Sequence, residues 1–194
     1  MTDLCKLAYK YRTDKCPQIR HYYTPFYHEL FKNRRNEIKK VMEFGTGFPE
    51  VMGHVEKVTG EPHIAGASLY MWRDYFPNAQ VYGADWSDRG MVKGQERIRT
   101  YLCDERSEYE VKSVFKETGT DIDIFVDDAL HQHTYQLNLA KIVLPILKEG
   151  AIYIIEDVHY PPRIVRELEE LGYKCEVPKL PVKNYRENLI IIRK

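Results

Sequence analysis

Residues 122–157, IDIFVDDALHQHTYQLNLAKIVLPILKEGAIYIIED, hold a strand, a helix and a second strand in succession. Ile122–Val126 and Ala151–Ile155 are short apolar runs of strand length, and Thr134–Leu147 between them has the length and composition of a helix. Each run stops at two acids, Asp127-Asp128 and Glu156-Asp157. The same order recurs outward. Val41–Phe44 precedes Gly45-Thr46-Gly47, and Gln80–Gly83 precedes Ala84-Asp85; the helices expected around them are Leu69–Phe76, Gly94–Arg99 and Pro162–Leu171. Strands alternating with helices at this spacing predict an α/β fold, a parallel sheet covered by helices on both faces. Tyr173–Val177 and Asn188–Arg193 are strand-like with no helix between them, which predicts a closing antiparallel hairpin and therefore a mixed sheet. Open α/β sheets place ligands beyond the carboxyl ends of their strands, where these acids and glycines fall.

The 194 residues suit one domain and bury enough surface to need no covalent staple. Lys+Arg and Asp+Glu each number 29, a balance that argues against a nucleic-acid binder. The balance is uneven along the chain. Residues 1–40 carry ten basic against four acidic side chains, leaving the acidic surplus in residues 41–194. The head, 1–40, reads as a helical lid or cap segment, in which HYYTPFYHELFKNRRNEIKK places aromatics beside a basic tail. No apolar run reaches the ~18 residues of a membrane helix, and the N-terminus lacks the apolar core of a secretory signal. Cys5, Cys16, Cys103 and Cys175 are scattered, without CxxC, and read as free thiols of a cytoplasmic protein.

Glycines at 45 and 47 allow a tight turn and close backbone approach to a ligand. The dinucleotide fingerprint GxGxxG is not completed, since Glu50 holds its last position, and no phosphate-loop motif is present. The segment from Gly47 to Leu69 is long for such a turn and reads as an insertion over the site, ending in Gly66-Ala-Ser68. Asp85 is either a ribose-binding acid or an exposed loop acid.

GASLYMWRDYFPNAQVYGADWS (66–87), IRTYLCDE (98–105), IDIFVDDALHQH (122–133) and IVLPILKEGAIYIIEDVHY (142–160) together resemble the macrocin- and mycinamicin-type sugar O-methyltransferases of macrolide biosynthesis. These are class I S-adenosylmethionine-dependent enzymes, and YKYRTDKCPQIRHYYTPFYHELF (9–31) is similar to their N-terminal segment. The resemblance implies a Rossmann-like, seven-stranded mixed sheet with an antiparallel last strand. It implies S-adenosylmethionine contacts at Glu43, Gly45, Thr46, Gly47, Ser68, Asp85, Trp86, Asp104 and Asp127. Of these, Asp85 would meet the ribose and Asp104 the adenine. It further implies Mg²⁺ or Mn²⁺ at Asp128, Glu156 and Asp157, and His131 as general base. Two features depart from the family: the stretch FPEVMGHVEKVTGEPHIA (48–65), and Leu130 where a small polar residue is usual.

The chemistry agrees with these residue types. Converging carboxylates repel and raise one another's pKa unless a cation intervenes, and all-oxygen donors favour Mg²⁺, Ca²⁺ or Mn²⁺. A metal chelated by vicinal sugar hydroxyls acidifies the attacking one, and a nearby imidazole is suited to take its proton. His133 reads either as a ligand or as a loop residue, and Asp127 either as a cofactor contact or as a helix N-cap. His21, Tyr22, Tyr23, Tyr27, His159 and Tyr160 are candidates for the acceptor site or lid. The expected partner is a sugar acceptor, a glycan or a glycosylated small molecule, without nucleic acid or membrane; a homo-oligomer is compatible with this reading. A catechol-type O-methyltransferase, a divalent-metal hydrolase and an inactive cofactor-binding module are the competing functions.

Overall fold

The computed structural model describes residues 1–181 and 187–194. Its elements are α1 (Asp3–Tyr11), α2 (Tyr23–Phe31), β1 (Lys40–Phe44), α3 (Gly53–Thr59), α4 (Ala67–Tyr75), β2 (Gln80–Asp85), β3 (Ile98–Leu102), α5 (Glu108–Thr118), β4 (Ile124–Asp127), α6 (His133–Val143), β5 (Ile152–Ile155), α7 (Pro161–Glu170), β6 (Cys175–Glu176) and β7 (Ile190–Arg193). The strands form one seven-stranded sheet in the order β3-β2-β1-β4-β5-β7-β6. β1 to β5 run parallel, and β7 is antiparallel to both β5 and β6. The strand order reverses direction between β1 and β4, the place where open sheets leave a crevice for ligands.

Strand side chains alternate between faces, and this alternation divides the core in two. Val41, Ile124, Val126, Ile152 and Ile154 pack with α1, α2 and α4 through Leu4, Tyr23, Tyr27, Phe31 and Trp72. Met42, Phe44, Phe125, Tyr153 and Ile155 pack with α5, α6 and α7 through Phe115, Leu139 and Leu168. The head is thus a layer of the fold, buried along the aromatic stripe of α2.

The expected helix at Gly94–Arg99 does not form. Gly94 and Arg97 both take left-handed backbone, with φ of +68° and +59°, and Ile98 already pairs with Val81 at the start of β3. Helix propensity yields here to a sheet edge that needs a partner. The helices α1, α3 and α5 are additions to the sequence reading. Short amphipathic runs such as α5 bury only one stripe, here Val111, Val114 and Phe115. The four cysteines are free thiols. Among the described residues no helix is long and apolar enough to cross a membrane.

Phe125 stacks on Tyr153 with ring centres 4.9 Å apart and lies 5.2 Å from Phe44. Phe125→Ala is expected to cost about 3–5 kcal/mol in urea unfolding with an unchanged denaturant slope, because the two flanking rings are fixed to strands and cannot collapse into the void.

Candidate active site

Period-two alternation selects which strand-end acids meet. Continuing β1, β4 and β5 past their apolar residues puts Glu43, Asp128 and Glu156 on the face covered by the head, and Asp127 on the opposite face. Into the first group the head inserts Lys15, which is 1% exposed. Its Nζ donates to Asp128 Oδ2 and Glu156 Oε2, both at 2.6 Å, and lies 3.7 Å from Glu43 Oε1. Burial disfavours this ammonium, but Asp128, Glu156 and Glu43 outweigh burial and hold its pKa well above the usual lysine value. Burial pushes Glu156 up, and Lys15 only partly offsets that. For Asp128, burial acts upward too, yet Lys15 and His131 bring the carboxyl below its ordinary range. The remaining oxygens are also satisfied. Tyr27 donates to Glu156 Oε1 at 2.7 Å, and Ser68 and Trp72 donate to the Glu43 carboxylate.

Asp157 should face away from this group by alternation. It turns back because its backbone is left-handed, with φ of +51°. Tyr23 holds that conformation: its hydroxyl donates to Asp157 Oδ1 at 2.5 Å and accepts from the Asp157 N–H at 3.2 Å. Asp128, His131 and Asp157 consequently come together, with ligand atoms within 4.8 Å of one another. His131 Nε2 lies 3.2 Å from Asp128 Oδ1, and Nδ1 lies 3.5 Å from Asp157 Oδ2. Burial lowers the His131 pKa, but the two carboxylates prevail and push it up to about 9. Glu156, expected in the metal set, has both oxygens turned to Lys15 and Tyr27. His133 lies apart, facing Glu167.

These groups border a cavity of about 330 Å³. Gly45, Thr46, Gly47, Ser68, Asp85, Trp86, Asp128, His131, Glu156, Asp157 and His21 line it. Gly45 has a φ of +89°, and a Cβ there would stand 2.0 Å from the Asp128 carbonyl oxygen, so only glycine lets the two loops meet. Asp85 accepts from the Thr46 and Ser87 backbone N–H groups, both at 2.9 Å, which ties the glycine loop to the end of β2. Glu43, Asp104, Asp127, Tyr22, Tyr23, Tyr27, His159 and Tyr160 do not line the cavity. The Tyr23 and Tyr27 rings lie in the core, and their hydroxyls orient Asp157 and Glu156.

Asp104 forms a two-pronged pair with Arg106, at 2.8 and 2.7 Å. Its neighbour Glu105, 4% exposed, reaches the cavity instead. Residues 103–105 lie past the end of β3, Ile98–Leu102, so strand periodicity gives no signal for Glu105. Among the described residues four buried side-chain atoms lack a hydrogen-bond partner, and three of them, His21 Nδ1, His63 Nε2 and Glu105 Oε1, belong to residues of this one cavity wall. Buried polar groups are rarely left unmatched, so their concentration here marks a site shaped for a polar ligand.

No family model matches the sequence. It is 31% identical over 156 residues to a mycinamicin VI 2''-O-methyltransferase of Micromonospora griseorubida, covering 80% of this chain and 36% of that protein. It is 29% identical over 156 residues to a demethylmacrocin O-methyltransferase of Streptomyces fradiae, covering 80% and 36%. A solved structure of the MycE methyltransferase from the mycinamycin biosynthetic pathway, in complex with Mg and SAH, superposes with a TM-score of 0.77 at 25% identity, covering 100% of this chain and 55% of that one. The chain therefore spans about a third of the length of the relatives it matches and about half of the solved one.

Removing Lys15 leaves two buried carboxylates, Glu43 and Glu156, and the half-buried Asp128 without their shared cation. Lys15→Met is expected to lose about 3–5 kcal/mol of stability at pH 7 in urea unfolding; a loss below about 1 kcal/mol would contradict the ion cluster. Asp127, on the other face beside Tyr153, is pushed up by burial to about 8. The folded chain keeps its proton up to that pH, whereas an unfolded carboxyl releases it near pH 4. Unfolding thus releases a proton across this window, and stability falls as pH rises through it. Asp127→Asn, which mimics the protonated carboxyl, is expected to match the wild type in melting temperature at pH 4 and to exceed it at pH 8.

Proposed function

We propose that this chain, which has the class I methyltransferase fold and is homologous to the macrocin- and mycinamicin-type sugar O-methyltransferases, transfers a methyl group from S-adenosylmethionine to a sugar hydroxyl with the aid of a divalent cation. The observation that carries this reading is the convergence of Asp128, His131 and Asp157 on the rim of a cavity floored by the glycine loop. The acceptor is a sugar of a glycosylated small molecule or a glycan. Buried, unpaired thiols suit a reducing, cytosolic setting.

The residues present fit both groups. The Asp128 and Asp157 carboxylates, with ligand oxygens within 4.8 Å of each other, form an oxygen donor pair suited to Mg²⁺ or Mn²⁺. Asp128 and Asp157 would hold the cation, with Glu156 behind them. When bound, it would offset the two negative charges and acidify and orient a chelated hydroxyl. The nucleoside fits the cavity wall that carries Asp85, Trp86 and Glu105. There Glu105 Oε1 lacks a donor and Trp86 leaves an exposed ring. Glu105, rather than Asp104, is our candidate for the adenine side.

His131 is the general base of this scheme. The carboxylates that raise its pKa are the ones the cation would offset, so the ring would be neutral with the metal in place; Nε2, the nitrogen better placed for a hydrogen bond to a carboxylate, would then keep its proton, donated to Asp128 Oδ1. That tautomer leaves the Nδ1 lone pair to take the acceptor hydroxyl's proton. Tyr23 fixes Asp157 against the ring, and Lys15 fixes Asp128. When bound, S-adenosylmethionine would supply the methyl carbon for attack by the hydroxyl oxygen, with a thioether as the leaving group. Alignment of oxygen, carbon and sulfur is the main task left to the protein.

Calorimetry with S-adenosylmethionine and transfer of labelled methyl to a panel of deoxysugar glycosides test the reading. Binding is expected, with transfer that is abolished by a chelator and restored by Mg²⁺. His131→Ala is expected to lower turnover by about 10²–10⁴-fold while nucleoside affinity stays within about twofold. Absence of binding at millimolar cofactor sinks the methyltransferase reading, and transfer that survives full chelation sinks the metal role.

A further inference from the structure

Residues 48–65, the stretch that departs from the family pattern, contribute nothing to the chemistry above, yet they lead to one side chain in a distinctive state. His63 is 6% exposed and belongs to the cavity wall. Its Nδ1 lies 3.2 Å from the Arg12 carbonyl oxygen. A carbonyl only accepts, so Nδ1 must carry a hydrogen. Burial holds the His63 pKa below the ordinary histidine value, which keeps the ring neutral. Nε2 is then a bare lone pair, and it has no hydrogen-bond partner among the described residues. It faces the glycine loop, where a Cβ on Gly47 would stand 3.2 Å away.

Only a donor can satisfy such an atom, and the neighbouring wall specifies which kind. Asp14 lines the same cavity; burial acts to raise its pKa, but hydrogen bonds from His21 and His54 hold it well below the usual carboxylate range. His54 Nε2 approaches its Oδ2 at 2.8 Å. A lone pair and an ionised carboxylate on one wall suit a cationic donor. A divalent metal is disfavoured, since the described residues bring three ligand-bearing side chains together only at Asp128, His131 and Asp157. A primary ammonium supplies three N–H donors and one charge. Arg20, half-exposed with Nη1 3.9 Å from Asp14 Oδ2, lines the same cavity and is the cation a neighbouring ligand carboxylate would meet.

We propose that His63 Nε2 and Asp14 form the subsite for the α-ammonium group of the cofactor's amino-acid end, so that the 48–65 insertion serves to recognise that end. The assignment rests on the methyltransferase reading and adds to it the residues that distinguish the full cofactor from its nucleoside alone. It also accounts for the glycine at 47, which leaves the space in front of Nε2 open.

Calorimetry on the full chain with two probes tests it: S-adenosylhomocysteine, which carries the ammonium, and 5′-methylthioadenosine, which lacks the amino-acid end. His63→Ala is expected to weaken S-adenosylhomocysteine about tenfold, as loss of a hydrogen bond to a charged group does. Its affinity for 5′-methylthioadenosine should change less than about twofold, which also reports that the variant is folded. His63→Gln keeps an acceptor oxygen and is expected to recover part of the loss. Equal weakening of both probes, unchanged S-adenosylhomocysteine affinity, or no recovery in His63→Gln overturns the subsite while leaving the methyltransferase reading in place. A wild-type chain that binds neither probe overturns that reading and the subsite with it.

Discussion

One ammonium group, Lys15 Nζ, faces Asp128 and Glu156 at 2.6 Å and Glu43 at 3.7 Å, and the rest of the molecule is arranged so that it can. Three strand-terminal carboxylates on one face of a sheet cannot all stay ionised in a buried setting without a cation. Lys15 supplies that cation from 113 and 141 residues away along the chain. The contact therefore joins the ends of β1, β4 and β5 to the head and makes the head part of the site's electrostatics. It also explains part of the uneven charge distribution, in which a basic head faces an acidic body.

The second constraint follows from the first. With Lys15 engaged by Glu156 and one oxygen of Asp128, the groups left facing the cavity are the other oxygen of Asp128, His131 and Asp157. Asp157 reaches them only through a left-handed backbone held by Tyr23. Backbone strain of this kind persists where the surroundings over-determine it, and here one tyrosine hydroxyl does so by donating to the Asp157 carboxylate and accepting from its N–H. Tyr23 and Tyr27 of α2 thus act on the site through their hydroxyl groups, from within the core.

The cavity combines two kinds of polar surface. One wall is satisfied and charged, around Lys15 and the acid pairs. The same lining carries His21, His63 and Glu105, whose unpartnered buried atoms are costly in isolation and favourable once matched.

The amino-acid sequence alone determined the alternation of strands and helices, the antiparallel closing strand and the acids at the strand ends, because these depend on hydrophobic periodicity and local turn chemistry. Which faces those acids take became clear only in the sheet, where Glu43, Asp128 and Glu156 share the face under the head, Asp127 lies on the other, and Glu105 rather than Asp104 reaches the cavity. Only the tertiary structure decided that Lys15 fills the acid cluster, that His131 comes between Asp128 and Asp157, and that His63 turns an unpaired nitrogen toward Gly47. It also replaced the expected helix at Gly94–Arg99 with a turn into β3, since pairing with β2 outweighs local propensity. The physical reason is separation along the chain. Periodicity reports on neighbours within a few residues, whereas each of these contacts joins elements whose proximity is set by the order of strands in the sheet.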